Sequence, residues 1–90
     1  MRVLLIAYTL RNDFKDYSSF FEAIKGNCSQ WWHFIDSIFI VYTHHSANEY
    51  AHFLYPHMEN DDSLFVTRLK HEEQGWLVKE AWDWLNEKQF

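Results

Sequence analysis

The chain has 90 residues, of which 48% are hydrophobic and 20% aromatic, so it can build the core of one globular domain and is not a disordered tail. Its formal charge of −5 comes from 13 acidic residues against eight dispersed Lys and Arg, which argues against strong non-specific binding to nucleic acid. Cys28 is the only cysteine, which excludes an internal disulfide and a cysteine-based metal site within one chain.

The apolar runs are too short to be targeting or membrane segments. Residues 3–7 form a shorter run than the core of a signal peptide, and polar residues follow soon after. No stretch approaches the roughly 18 apolar residues of a membrane span. We therefore expect a cytoplasmic protein with no membrane partner, and the lone cysteine fits a reducing compartment.

The first half of the chain predicts a strand, a helix and a hairpin. Residues 3–8 are continuously apolar, which is typical of a central strand covered on both faces. An apolar stripe then predicts a helix that ends near Gly26 and Asn27; it consists of Tyr17, Phe20, Phe21, Ile24 and Cys28. Residues 31–35 and 38–43 are rich in aromatic and branched side chains, and Asp36-Ser37 between them predicts a tight hairpin.

The second half predicts a helix, a strand and a third helix. Ser46 and Glu49 have the spacing of a capping box, and Pro56 limits the helix that starts there. Residues 64–69 read as a strand, and residues 76–90 read as a helix. The apolar face of that helix is formed by Leu77, Val78, Ala81, Trp82, Trp84 and Leu85. Trp76 lies off this face, so it points to a partner or folds back on its own domain.

This order of elements predicts one α+β domain over residues 1–90. The fold class is a ferredoxin-like βαββαβ with one antiparallel sheet and an added C-terminal helix. Two helices would cover one sheet face, so the C-terminal helix or a second subunit must cover the other. A domain of this size buries only about 60–65% of the surface of its unfolded chain, so we expect a homodimer.

Several segments together carry a resemblance to a known family, over almost the whole chain. They are residues 5–8, the helix opening at Asp16-Tyr17 with 21–24, the run 31–37, and the run 60–66. The sequence resembles the small bacterial family of SinR-like proteins. In fold that family is similar to the smaller subunit of the CRISPR adaptation complex and to related ribonuclease toxins. The resemblance implies a ferredoxin-like homodimer and a setting in phage defence or mobile elements.

The resemblance also directs attention to the end of the first strand. In the nuclease-like relatives an aspartate there, paired with its dimer mate, is proposed to hold a divalent metal. Thr9 stands at that position here, and a neutral hydroxyl is a poor anchor for Mg²⁺. Asp13 and Asp16 lie nearby and are the possible substitutes. Because loops at strand ends commonly present functional side chains, we expect the binding site at Tyr8, Thr9, Arg11 and Asn12.

A group of histidines is the other candidate site. His44 and His45 precede the second helix and His52 lies on it, so their imidazoles could converge on a Zn²⁺ ion or an acid–base cluster. Their spacing matches no strong metal motif, which favours a polar turn and a solvent-facing side chain instead. We therefore predict no metal and no cofactor.

Three functions remain open from the sequence. The favoured one is a non-catalytic homodimeric module that binds a protein or a nucleic acid. The first alternative is a metal-dependent endoribonuclease or toxin-like nuclease that uses Asp13 or Asp16. The second is a pH or small-ligand sensor built on His44, His45 and His52.

Overall fold

The fold is described from a computed structural model of residues 1–90. The strands are β1 (Arg2–Thr9), β2 (Gln30–Ile35), β3 (Ile38–Thr43) and β4 (Ser63–Arg68). The helices are α1 (Ser18–Gly26), α2 (Ala47–Leu54) and α3 (Lys79–Glu87), and a 3-10 turn at Tyr55–His57 follows α2. None of these helices combines the length and apolar character needed to cross a bilayer.

The four strands form one antiparallel sheet in the order β2-β3-β1-β4. The prediction that the first strand lies in the middle of the sheet is confirmed. Ala7 faces Ile38 of β3 on one side and Phe65 of β4 on the other. Since side chains alternate along a strand, the even-numbered side chains of β1, such as Leu4, lie on one face of the sheet and the odd-numbered ones lie on the other. The domain is therefore a small α+β fold with four antiparallel strands and three helices.

Helices α1 and α2 cover one face of the sheet, where the larger core lies. That core consists of Leu4, Ile6, Tyr8, Phe20, Ile24, Phe39, Val41, Tyr50 and Leu54. The buried Tyr50 hydroxyl donates a hydrogen bond of 2.7 Å to the Ile24 carbonyl, which ties α2 to α1. Burial raises the pKa of this hydroxyl, so it stays protonated and keeps donating.

Side-chain hydrogen bonds cap the start of α2 and the end of α1. The predicted capping box of α2 is confirmed: the Glu49 amide donates to Ser46 Oγ at 3.1 Å, and the Ser46 amide donates to Glu49 Oε1 at 3.0 Å. Helix α1 ends where the sequence predicts. There the Asn27 side-chain amide donates to the Ala23 carbonyl at 2.7 Å, which satisfies a carbonyl of the last turn.

Helix α3 lies on the opposite face and is shorter than predicted. The sequence predicts a helix over residues 76–90, but the helix spans Lys79–Glu87. Val78 before it is extended, with ψ 154°, and its side chain is 61% exposed instead of lying on the apolar face. Ala81 and Leu85 are buried against Val3, Trp32 and Ile40 of the sheet. The prediction of a longer helix was wrong because apolar periodicity continues beyond the residues that carry helical dihedral angles.

Helix α3 covers only part of its sheet face. It packs against β2, whereas Phe65 on β4 remains 65% exposed on the same face. Phe34 and Ile35 at the end of β2 are also exposed, and Trp76 before α3 is 97% exposed. The predicted cover by the C-terminal helix is therefore present but incomplete.

Candidate functional site at the end of the first strand

The end of β1 opens into two loops that meet side by side. The first is residues 10–17, between β1 and α1, and the second is residues 58–62, before β4. We call these two segments the loop pair. Between them lies a cleft of about 520 Å³, lined by Arg11, Asn12, Asp13, Phe14, Glu59, Asn60, Asp61 and Asp62. Two of the predicted binding residues thus line the same cavity.

Asp62 holds the loop pair together. Its Oδ1 accepts a hydrogen bond of 2.8 Å from the Arg11 amide. Its Oδ2 accepts one from the Tyr17 hydroxyl at 2.8 Å and one from the Glu59 amide at 2.8 Å. One carboxylate therefore bonds to both ends of the first loop and to the start of the second.

The protonation of Asp62 follows from these contacts. Partial burial acts to raise the pKa of its carboxyl group, but the bonds from the Arg11 and Glu59 amides outweigh that effect. The Tyr17 hydroxyl and the positive charge of Lys15 add to the lowering, so the pKa of Asp62 lies below its ordinary value. The carboxylate is ionised and engaged at neutral pH.

Arg11 and Asn12 reinforce the same contact between the loops. The Arg11 guanidinium donates to the Asp61 carbonyl at 2.7 Å. The Asn12 side-chain amide donates to Glu59 Oε1 at 3.2 Å, and its Oδ1 accepts from the Phe14 amide at 3.1 Å. These bonds shape the cleft and leave the ring of Phe14 99% exposed at its rim. The loop pair is thus an ordered acidic surface that carries one projecting aromatic ring.

Tyr8 and Thr9 occupy a different place from Arg11 and Asn12. Tyr8 is buried beneath α1, with its ring 5.3 Å from that of Phe20 in an edge-to-face contact. Burial, together with the negative charge of Asp36, raises the pKa of its hydroxyl. Thr9 is exposed and lies opposite Ser63 in the sheet.

Thr9 lines a shallow depression of about 410 Å³ at the strand end. Its walls are Ala7, Tyr8, Thr9, Asp36, Ser37, Ile38, Ser63, Leu64 and Phe65. Asp36 is the one carboxylate among them. The neighbourhood of Thr9 is therefore made of hydroxyl and apolar groups with a single negative charge.

The two aspartates considered as substitute metal ligands are separated by their contacts. Asp16 Oδ1 accepts bonds from both the amide and the hydroxyl of Ser18, at the start of α1. These bonds lower the pKa of the Asp16 carboxyl group, chiefly through the hydroxyl. Asp13 instead lines the loop cleft. No set of three or more His, Cys, Asp or Glu side chains is arranged to hold a metal ion.

The three candidate histidines do not form one cluster. His45 Nδ1 lies 3.4 Å from Glu49 Oε2, and its ring meets that of Phe53 edge-on at 4.8 Å. His52 Nδ1 lies 2.8 Å from the Asn48 carbonyl, one turn earlier in α2. His44 is exposed, and its carbonyl accepts a bond from Arg2. The three imidazoles therefore lie in separate surroundings. This agrees with the alternative stated above, in which these histidines occupy a polar turn and a solvent-facing helix position.

Most basic side chains are engaged within the chain itself. Six of the eight Lys and Arg side chains contact a carbonyl, a carboxylate or an aromatic ring: Arg2, Arg11, Lys15, Lys25, Lys79 and Lys88. Arg68 and Lys70 are exposed and make no such contact. They lie together at the end of β4, so few free Lys and Arg side chains remain to bind a polyanion.

Sequence reasoning did not identify Tyr17, Glu59 and Asp62 as partners of the strand-end loop. Asp62 lies 51 residues from Arg11, and no local pattern reports a contact of that separation. The only available signal was the density of acidic and amide side chains at residues 59–62, beside a strand that pairs with β1.

Comparison with known proteins finds no matching family model, no matching curated protein and no matching solved structure.

Proposed function

We propose that the chain is a non-catalytic, homodimeric binding module of ferredoxin-like fold, and that its partner is a protein. The main observation behind the proposal is which charged groups at the end of β1 are bonded within the chain and which face solvent. The acidic groups there are either bonded into the loop pair or face solvent around Phe14, and the basic groups are largely engaged. Such a surface complements a partner that brings basic and apolar groups.

The last residue of β1 is Thr9 and not a carboxylate, and this supports the non-catalytic part of the proposal. A hard divalent cation requires several oxygen ligands, most often carboxylates. Thr9 and Ser63 offer neutral hydroxyls, and Asp16 is bonded to Ser18. Asp62 already accepts three hydrogen bonds that the loop pair requires.

The engaged basic residues support a protein partner over a nucleic acid. Each phosphate contact normally uses a Lys or Arg side chain. Arg11, which lines the cleft, already donates to the Asp61 carbonyl, and acidic side chains surround it. A phosphate backbone at this surface would meet carboxylates.

The strand order and the helix placement support the ferredoxin-like part. Read from the other edge, the order is β4-β1-β3-β2, with β1 and β3 in the centre of an antiparallel sheet. The crossover helices α1 and α2 pack on one face, as a split βαβ arrangement requires. The incomplete cover of the second face supports a homodimer, since a second copy could shield Phe65.

Binding titrations with two labelled probes test the proposed partner class. The probes are a 20-nucleotide single-stranded RNA and a synthetic peptide of alternating lysine and leucine, and their binding is followed by fluorescence anisotropy at pH 8. We expect the peptide to bind saturably and the RNA to remain free. Saturable, salt-dependent binding of the RNA would contradict the proposal and favour a nucleic-acid partner.

A matched pair of variants locates the peptide site. Asp13→Lys/Asp61→Lys changes two carboxylates of the loop cleft, and Glu22→Lys/Glu80→Lys makes the same charge change on α1 and α3. We expect the first variant to weaken peptide binding roughly tenfold or more, and the second to change it much less. Equal losses would mean that the peptide senses only the net charge, which would contradict a site at the loop pair.

A bacterial source, a cytoplasmic location and a setting in phage defence or mobile elements belong to the same proposal. Their support is the resemblance to SinR-like proteins together with the short apolar runs of the sequence. The genes that neighbour this one provide the direct test of the setting.

A further inference from the structure

The two edges of the sheet differ in how they are protected. At one edge β2 has a register irregularity between Trp32 and Ile35, and the Lys25 ammonium lies 4.6 Å from the centre of the Trp31 ring. Bulges and lysines are devices that keep an edge strand from pairing with another chain. At the other edge β4 pairs with β1 in an unbroken register. It contains no proline, and its only charged residue is its last, Arg68.

The backbone of β4 presents free hydrogen-bonding groups to solvent. Just beyond β4 the Leu69 amide donates to the Val3 carbonyl at 2.9 Å, which continues the ladder with β1. Because alternate residues of an antiparallel strand bond to the same neighbour, the odd-numbered residues of β4 face β1. The amide and carbonyl groups of Leu64, Val66 and Arg68 therefore point to the open edge.

The charges around β4 are arranged for antiparallel pairing with a copy of itself. Asp61 and Asp62 precede the strand, whereas Arg68 and Lys70 follow its core. Antiparallel pairing brings the acidic end of one strand to the basic end of the other. Arg68 and Lys70 are also the two basic side chains that contact no carbonyl, carboxylate or aromatic ring of the chain.

We infer that β4 pairs with β4 of a second copy, giving a continuous eight-stranded sheet across a two-fold axis. This inference rests on the homodimer part of the proposed function and identifies the surface that forms the dimer. When the two-fold axis is normal to the sheet, each residue of β4 lies opposite a residue of the second β4 whose side chain is on the same sheet face. If Phe65 faces its own mate, Asp62 faces Arg68 of the second copy. If Val66 faces its mate instead, Leu64 faces Arg68 and Asp62 faces Lys70, so both registers pair opposite charges. Only the first register brings the two exposed Phe65 rings together, and this selects it.

Apolar groups on both faces of the edge fit this arrangement. On the face of α3, the exposed ring of Phe65 packs against its mate, at a position where paired side chains approach most closely. On the other face, α2 and β4 border an open groove of about 430 Å³ lined by Ala51, His52, Tyr55 and Leu64. Tyr55 is 75% exposed there, and the same elements of the second copy would cover it.

Sedimentation velocity on the full chain and two variants tests the inference. Val66→Pro removes an amide that faces the open edge, where proline is tolerated, and so blocks pairing without breaking the β1 ladder. Arg68→Glu places like charges opposite Asp62, and Lys79→Glu makes the same charge change on an exposed residue of α3. We expect the wild type and Lys79→Glu to be dimers and Val66→Pro to be a monomer. Arg68→Glu should raise the dimer dissociation constant roughly tenfold or more.

The outcomes separate the inference from the proposal on which it rests. A wild type that stays monomeric at every concentration would overturn both. A wild-type dimer that persists unchanged in Val66→Pro and Arg68→Glu would overturn only the β4 pairing. If Val66→Pro does not fold, as judged by circular dichroism, Arg68→Glu with its Lys79→Glu control still decides the question.

Discussion

Replacing Trp32 by alanine is expected to lower the free energy of unfolding by about 4 kcal/mol. Trp32 is 1% exposed, and its Nε1 donates a hydrogen bond of 3.1 Å to the Ala81 carbonyl in α3. It packs with Val3, Ile40 and Leu85 in the core beneath that helix. The substitution removes a large buried side chain together with the hydrogen bond that it donates to α3. Urea denaturation followed by circular dichroism measures the change.

Trp76→Ala is the matched control for that substitution. Trp76 is 97% exposed, so its loss should change the free energy of unfolding by less than about 0.5 kcal/mol. A domain of this size has a total stability of about 5–15 kcal/mol, so the two variants should be clearly separated. If Trp32→Ala were as stable as Trp76→Ala, α3 would not be docked on β2 through this side chain.

Replacing Asp62 by alanine is expected to lower the free energy of unfolding by about 2 kcal/mol at pH 7. Each charge-assisted hydrogen bond contributes about 1.5–3 kcal/mol when formed, but water can reach the loop pair and replace part of three bonds. The same change should loosen the cleft that Arg11 and Glu59 border. Denaturation at several pH values, together with hydrogen exchange of the Arg11 and Glu59 amides, measures both effects.

The pH dependence of the Asp62 effect has a defined sign. The pKa of Asp62 is lower in the folded state than its ordinary value near 3.9. Its contribution is therefore complete above about pH 4 and is lost as the pH falls through the folded-state pKa. The stability difference between wild type and Asp62→Ala should be constant near neutral pH and shrink in acid.

Asp61→Ala provides the control, because it removes the same charge from the neighbouring position. The Asp61 contact in the loop pair uses its backbone carbonyl, which the substitution keeps. We expect a change below about 0.5 kcal/mol. If Asp61→Ala destabilised the protein as much as Asp62→Ala, Asp62 would not be the residue that holds the loops together.

The elements with local signals could be predicted from the sequence. The apolar run at residues 3–8 identifies the central strand, because only a strand covered on both faces is apolar throughout. The Ser46 and Glu49 pair identifies the start of α2, since both capping bonds connect residues three positions apart. Asp36-Ser37 marks the hairpin turn, where Ser37 adopts a left-handed conformation with φ 64°.

The extent of α3 could not be predicted because tertiary contacts set it. Lys88 is extended and buried, and its ammonium lies 4.6 Å from the centre of the Trp84 ring. Its carbonyl is 2.9 Å from His71 Nε2, while Nδ1 of the same ring is 3.0 Å from Glu73 Oε1. Apolar periodicity contains no information about such a contact.

Two residues of the loop cleft could be found from the sequence, but the contacts that build the cleft could not. The rule that strand-end loops present functional side chains points to Arg11 and Asn12, and both line the loop cleft. That rule does not distinguish Tyr8, whose ring is buried under α1, from Thr9, whose side chain is exposed. It also misses Asp62, because the bond that joins the loops connects residues 51 positions apart.

Incubation with labelled RNA and DNA, single- and double-stranded, in Mn²⁺ or in EDTA tests the non-catalytic claim most directly. The wild type, Asp13→Asn, Asp16→Asn and Thr9→Asp are compared. We predict that the wild type leaves every substrate intact in both conditions, because Thr9 supplies no carboxylate for the metal. Mn²⁺-dependent cleavage by the wild type that EDTA abolishes, and that Asp13→Asn or Asp16→Asn removes, would contradict the account.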